Sequence, residues 1–353
     1  MEREIELTVI VPTYNERDNI PILLERIDKA LSSHGIKYEV IVVDDNSPDG
    51  TADVAEKLSS KYPVRVLRRP GKLGLSSAVL DGIKLAKSKV IAVMDADLQH
   101  PPEVLSELYT RIKNGCEIVI ASRYVKGGST KGWSLLRKLI SKIAIVIAHI
   151  LIPKSRAVKD IMSGYFMLRK DVISDVTLNP RGFKILLEII AKAKYSNVCE
   201  VPYTFDTRKY GKSKLGGKEI INYILHALSL SPYIVRFALV GGIGTVVNLL
   251  SLAILRYVLG LIHEISSAIA IELSIINNFI LNDRWTFKDR RRGSAIFRFL
   301  KFHLSSITGV LTQYLVSISL YHLVLHESIS SQFIGILIGF IVNYLISRYY
   351  VWR

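Results

Sequence analysis

Short, β-branched apolar runs alternate with longer amphipathic stretches through the first part of the chain. LTVIV ends at Val11, YEVIVV at Val43, VRVL at Leu67, VIAVM at Met94 and EIVIA at Ala121. Runs this short and this continuously apolar predict strands buried on both faces, as in a parallel sheet. Between them, residues 19–33, 53–60, 76–87 and 103–114 have the length and period of helices. Strand and helix alternate, which predicts an α/β fold. Polar motifs fall where such sheets bind ligands, beyond the carboxyl ends of the strands. PTYNE follows the first strand, DDNSPDGT the second and DADLQHPPE the fourth. Any one of them alone reads equally well as a strand-to-helix turn, because Asp, Asn, Pro and Gly belong there.

The pattern then changes. Residues 133–152 begin with Arg137, Lys138 and Lys142 and end in an apolar run broken only by His149. Ten apolar residues cannot cross a bilayer, so this stretch and residues 218–230 predict amphipathic helices lying in a membrane interface. A core helix with a solvated basic face is the competing reading. From residue 232 onward four hydrophobic stretches, 237–255, 265–281, 304–325 and 330–346, each approach the roughly 17–25 residues that a spanning helix needs. The expected division is therefore 1–231 for the sheet domain with its interfacial helices and 232–353 for a four-helix transmembrane domain arranged as two hairpins.

The loops assign a direction. Residues 282–303 carry seven cations against two acids, whereas 260–267 and 322–331 contain no Lys or Arg. An excess of Lys and Arg marks the cytoplasmic side. Four crossings then leave the sheet domain, the basic loop and the last residues together on that side. The opening sequence MEREIELTVIVPTYNE puts charges where a signal peptide needs an apolar core, which predicts a cytosolic first domain. The membrane part also repeats: RFALVGGIGTVVN from Arg236 is similar to KFHLSSITGVLTQ from Lys301, and NFILNDRW from Asn278 to NYLISRYYVW from Asn343. Glu272, Asn248, Asn277, Asn278 and Asn343 are expensive in lipid and should face other helices, with Arg256 the expected partner of Glu272.

Composition narrows the partners without choosing one. A formal charge of +16 suits nucleic acid, nucleotide phosphates or an acidic bilayer surface. The two cysteines, Cys116 and Cys199, lie far apart and lack metal-ligand spacing, so the expectation is two buried, inert thiols rather than a disulfide or a zinc site. Asp95-Ala96-Asp97-Leu98-Gln99 closes the fourth strand, and a period of two would put Asp95 and Asp97 on one side if the extended conformation persists. Two carboxylates and a carboxamide are hard oxygen ligands suited to Mg²⁺ or Mn²⁺ shared with a diphosphate.

Taken in order, PTYNE, DDNSPDGT, GKLGLSSA, DADLQHPPE, SRY, DIMSGYF and RKYGKSKLGG resemble the family 2 glycosyltransferases of the nucleotide-sugar-binding GT-A, Rossmann-like fold. GKLGL and YGKSKLGG are most similar to the dolichol-phosphate mannose synthases. The resemblance covers about residues 8–231, and the remainder resembles, more loosely, the four-helix membrane domain found with polyprenyl-phosphate sugar transferases. It implies GDP-mannose as donor, dolichyl or another polyprenyl phosphate as acceptor, a bilayer as partner, no nucleic acid, and Mg²⁺ or Mn²⁺ as cofactor. Assembly of a homo-oligomer through the membrane domain is left open.

Carried onto this chain, the resemblance implies that Pro12, Tyr14 and Glu16 line the nucleoside site, with Asp44 or Asp45 on base or ribose. Asp95, Asp97 and Gln99 would hold the metal, with Ala96 beside the nucleotide sugar. Lys184, Arg208 and Lys214 would embrace the diphosphate, the last two from a loop able to close. Arg123, Arg137 and Ser141 are the expected acceptor-phosphate site, and Asp97 and Arg123 the expected catalytic residues. A phosphate monoester, with a second pKa near ~6, is already an oxyanion at neutral pH and needs no general base. In-line attack on the anomeric carbon would invert it. The rival within the same chemistry is a polyprenyl-phosphate glucosyltransferase using UDP-glucose. A rival of another class is a translocator of lipid-linked sugar. A processive polysaccharide synthase would need Gln-x-x-Arg-Trp, and the one Arg-Trp here, Arg284-Trp285, has Leu281 in the Gln position.

Overall fold

The computed structural model describes residues 4–180, 182, 184–207, 217–325 and 328–353. The chain divides into two compact units, Met1–Leu230 and Ser231–Arg353. The first holds strands β1 (Leu7–Thr13), β2 (Tyr38–Asp44), β3 (Val64–Arg68), β4 (Val90–Val93), β5 (Ile118–Ser122), β6 (Ser129–Thr130), β7 (Phe166–Arg169), β8 (Val198–Pro202) and β9 (Thr204–Phe205). Seven of them form one sheet in the order β3-β2-β1-β4-β7-β5-β8, and β6 pairs with β9 apart from it. All five expected strands are present. Every residue of β1, β2 and β5 is buried, which is why their sequences are continuously apolar instead of alternating.

The sheet departs from an all-parallel one at a single strand. β7 runs antiparallel between β4 and β5, while the other pairings are parallel. Its sequence, FMLR, is too short and too plain to announce direction. Helix α1 (Ile20–Ser32) buries Ile20, Leu23, Leu24, Ile27 and Leu31, the three-and-four spacing of one helical face. Helices α2 (Thr51–Lys57), α3 (Leu75–Leu85) and α4 (Leu105–Lys113) complete the alternation.

The cysteines correct the sequence reading, because Cys116 and Cys199 form a disulfide with their Cα atoms 6.1 Å apart. Parallel pairing of β5 with β8 sets Val119 against Cys199, which brings Cys116 within reach. A separation of 83 residues hides such a meeting until the strand order is known.

Two helices of this unit wear apolar side chains outward. On α5 (Leu135–Leu151), Leu135, Leu136, Leu139, Ile143, Val146 and Ile150 are all exposed, Leu135 by 84%, and their spacing puts them on one face. The other face buries Ile145, Ala148 and Leu151. Next to it, α7 (Gly217–Leu230), which follows the buried α6 (Ile185–Lys192) in the chain, exposes Ile220, Ile221, Ile224 and Leu225. The two are joined where the Tyr223 hydroxyl donates to the Ala144 carbonyl at 2.5 Å.

The second unit is helical: α8 (Tyr233–Ala253), α9 (His263–Leu281), α10 (Ala295–Leu320) and α11 (Ser328–Ile346). Among the described residues, three helices are long and apolar enough to cross a membrane: Tyr233–Val258, Ala295–Val324 and Ile334–Val351. α9 is the polar one, carrying Glu264, Glu272, Asn277 and Asn278. Glu272 does not meet Arg256; its carboxylate lies 3.0 Å from His303 Nε2, and Arg256 donates to the Leu261 carbonyl.

The repeat read from the sequence is carried into the packing. Arg236 and Lys301, like Asn278 and Asn343, are 65 positions apart, and so are Gly244 and Gly309, each of which lies against the matching asparagine so closely that a Cβ would clash with it. Small residues at these points let the helices of each hairpin approach. Phe287 and Trp352, also 65 apart, stack on each other with centroids 4.6 Å apart. Equivalent residues in mutual contact place a pseudo-two-fold axis between them.

Candidate active site

The strand order turns at β1, with β2 and β3 to one side and β4 to the other. The loops after β1 and β4 therefore flank the crevice where open sheets take ligands. Among the described residues, three non-glycine residues have left-handed backbone, Asn15 (φ 60°), Asn46 (φ 58°) and Leu98 (φ 62°), and there is one in each of the three polar motifs. Asn tolerates this region; a buried Leu does so only under constraint from its surroundings.

These loops hold one another. The Asn15 amide donates to Ser47 Oγ at 2.9 Å and the Glu16 amide to Thr51 Oγ1 at 2.9 Å. Asp44 and Asp45 are both buried. Asp44 accepts from the Thr13 hydroxyl at 2.9 Å and from the Ser47 amide and hydroxyl at 2.8 and 2.6 Å. Asp45 accepts from the Gly74 amide at 2.8 Å and pairs with buried Arg69. A carboxylate has about four acceptor positions, so these acids brace the loops and keep about one position on Asp44 and about two on Asp45. Pro12 is buried at the end of β1, Tyr14 and Glu16 are half-buried, and Lys72 of the GKLGL motif sits 4.1 Å over the Tyr14 ring.

The Asp95–Gln99 turn lies just past β4 rather than within it, so the extended conformation does not persist; Leu98 turns the chain. Asp97 accepts the Gln99 amide at 3.1 Å. The Gln99 side-chain amide donates to the Asp206 carbonyl at 2.9 Å, and the Asp206 amide donates back to the Gln99 carbonyl at 3.0 Å. Ala96, Asp97 and Gln99 are buried, and the Asp95 carboxylate is one-third exposed. A Cβ on Gly164 would lie 3.5 and 3.7 Å from the two Asp95 oxygens, so the missing side chain keeps room beside that carboxylate. Open space against a hard oxygen donor set fits Mg²⁺ or Mn²⁺, which fill further positions from substrate phosphates.

Beneath the turn, His100 is fully buried and stacks on Tyr165 with centroids 5.1 Å apart. Burial pulls its pKa down to about 4, leaving it neutral, and Nδ1 accepts the Asp95 amide at 3.0 Å. Lys184 donates to the Met162 carbonyl at 2.6 Å. Burial first, and then the field of Arg123, bring its pKa down to about 8, against the opposing pull of Asp95 and Asp160.

The structure brings Arg123, Arg137 and Ser141 together around Trp133 and Tyr124. Arg123 lies 5.2 Å and Arg137 4.3 Å from the centroid of the Trp133 ring. Tyr124, next to Arg123, donates its hydroxyl to Ser141 Oγ at 2.8 Å. Arg123 is buried and doubly bonded to buried Asp160, Nε to Oδ2 at 2.8 Å and NH2 to Oδ1 at 2.7 Å. Burial opposes the charge, and Asp160 more than restores it, so the Arg123 pKa stands above its ordinary value. Trp133 Nε1 is buried with no hydrogen-bond partner among the described residues. Arg208 and Lys214 lie outside the described residues.

Asp160, Gly164, His100 and Trp133 are the residues that motif reading left without a role. The first two sit in DIMSGYF and the third in DADLQH, so their motifs were visible and only their contacts were missing.

Residues 8–177 match the glycosyl transferase family 2 domain, and residues 236–352 match the GtrA/DPMS transmembrane domain. The chain is similar to a dolichol-phosphate mannosyltransferase of Pyrococcus furiosus, at 50% identity over 99% of both chains. It is similar to dolichol-phosphate mannosyltransferases of Saccharomyces cerevisiae, at 39% identity over 66% of this chain and 89% of that one, and of Mycosarcoma maydis, at 37% over 70% and 85%.

Proposed function

The chain belongs to the dolichol-phosphate mannosyltransferase family, and on that footing we propose that it moves mannose from GDP-mannose to dolichyl phosphate with inversion at the anomeric carbon. The observation that carries the acceptor half of this reading is Trp133 flanked by Arg123 and Arg137, with Ser141 one turn on along a helix whose far face is exposed and apolar. Cations with hydroxyls suit a phosphate, and an apolar helix face suits the membrane that carries it.

The donor half rests on the loops after β1, β2 and β4, with Tyr14, Glu16 and the remaining capacity of Asp44 and Asp45 toward the nucleoside. Lys184 offers positive charge to the diphosphate, and Arg208 and Lys214 are proposed to join it. Asp95, Asp97 and Gln99 would hold Mg²⁺ or Mn²⁺, which when bound supplies Lewis-acid stabilisation of the leaving nucleotide. His100 fixes the Asp95 backbone from below. The lipid phosphate arrives already ionised, so the residues around it position and do not deprotonate. The basic loop between α9 and α10 favours the cytoplasmic face for the catalytic unit.

The test is lipid-linked sugar formation by the purified chain in lipid, with GDP-mannose or UDP-glucose as donor. Mannolipid that forms from GDP-mannose and disappears with EDTA is expected; glucolipid from UDP-glucose alone would overturn the mannose assignment, and EDTA-insensitive turnover the metal.

A further inference from the structure

The pseudo-symmetry of the membrane unit makes one departure from it informative. In one half, Asp283 binds Arg298 through Nε at 2.7 Å and NH2 at 3.2 Å, and accepts Trp352 Nε1 at 2.9 Å. Arg298 also donates to the carbonyls of Arg292 and Gly293 at 3.0 and 2.6 Å. Acid, base and indole are all satisfied. In the other half, the position matching Asp283 is Arg348, and the position matching Arg298 is Tyr233. A buried ion pair has been replaced by an arginine over a tyrosine ring, 5.5 Å from its centroid.

Further cations gather there. Arg290 lies 5.2 Å and Arg236 5.7 Å from the same Tyr233 centroid. The nearby acid, Asp289, accepts the Tyr233 hydroxyl. Arg348 spends NH1 on the Tyr344 hydroxyl at 2.9 Å, and its Nε is buried with no hydrogen-bond partner among the described residues. Among the described residues, neither Arg290 nor Arg348 has a carboxylate within ion-pair distance. Cation–π attraction to one tyrosine ring is a weak counterweight to the guanidinium groups of Arg290 and Arg348, and the carboxylate of Asp289 is engaged with the Tyr233 hydroxyl. Among the described residues, these two arginines outnumber the acid beside them.

The cluster's place says which anion would balance them. Tyr233 opens α8, Arg348 lies in the π turn that closes α11, and Arg290 belongs to the basic loop between α9 and α10. Two apolar helices long enough to cross a membrane thus end at this cluster, at the depth where lipid headgroups lie. The guanidinium fork matches phosphate oxygens in pairs. We propose that Arg290 and Arg348, arranged around Tyr233, bind the headgroup phosphate of an anionic phospholipid, at a site made by the membrane unit alone.

The experiment uses the full chain, delipidated in detergent and titrated with phosphatidylglycerol, phosphatidylcholine or inorganic phosphate, with bound lipid counted by native mass spectrometry. Retention of phosphatidylglycerol over phosphatidylcholine is expected, with affinity falling about tenfold or more in the Arg290→Gln/Arg348→Gln pair. The Lys288→Gln/Arg291→Gln pair, exposed in the same loop, should change it by less than about threefold, as a loss of diffuse attraction would. Equal losses in both pairs would reduce the site to general surface potential and overturn it. Unchanged binding in the Arg290/Arg348 pair, or binding of inorganic phosphate without lipid, would do the same. Should Arg348→Gln fail to fold, Arg290→Gln alone decides, because Arg290 lies in a loop.

Discussion

The proposed donor and acceptor halves of the catalytic unit would meet the same task, holding a phosphate, with different materials. The donor half is loop backbone at the ends of β1, β2 and β4, and its buried acids Asp44 and Asp45 give part of their bonding to the loops themselves. The acceptor half is a cation–aromatic cluster in which Arg123 is anchored to Asp160 and Arg137 to the Trp133 ring, on a helix that exposes leucine and isoleucine outward. A soluble nucleotide can be enclosed by loops, whereas a ligand tethered to a bilayer has to be met at the surface. The two halves should therefore fail separately when disturbed.

The largest separation is expected on the donor side. Asp97→Ala should lower kcat/KM about 10³-fold or more, the scale of a lost Lewis-acid site, while leaving the unfolding midpoint nearly in place. On the acceptor side, Asp160→Ala would strand the buried Arg123 charge and cost roughly 3–5 kcal/mol of stability, read by denaturant unfolding. A smaller effect is expected from the Cys116–Cys199 bridge, which closes the segment containing Arg123, Asp160 and Lys184. Its reduction should remove roughly 2–4 kcal/mol, with unfolding followed with and without a thiol.

Lys184 sharpens the comparison through pH. Its folded pKa of about 8 lies below the usual lysine value, so between those values the unfolded chain binds more protons and this group makes stability rise with pH. Its charge toward the diphosphate is lost over the same window. Above pH 8, kcat/KM for the donor should fall by up to about tenfold per unit, and Lys184→Arg, always charged, should remove that limb.

Much of this was legible before any coordinates. Continuous apolar runs fixed five strands because burial on both faces leaves no polar alternation, and motif order pointed to the loops that converge. β7 was not, since FMLR has the composition of any short strand and direction is a tertiary property. Cys116 and Cys199 escaped for a related reason: 83 residues of separation say nothing of strand order. Asp160 and His100 act through contacts with Arg123 and Asp95, and sequence shows residue types without showing whom they touch. The 65-residue repeat was legible, and with it the match of Arg348 to Asp283, but only the packing revealed that Asp283 pairs with Arg298 while Arg348 lies over Tyr233.

The separate capture of the two phosphates is tested most directly by steady-state kinetics of Arg137→Gln with each substrate varied in turn. The KM for polyprenyl phosphate should rise about tenfold or more, as loss of a charge-assisted phosphate contact requires, while the KM for GDP-mannose stays within about twofold. Equal rises in both, or a rise in the donor KM alone, would contradict the account.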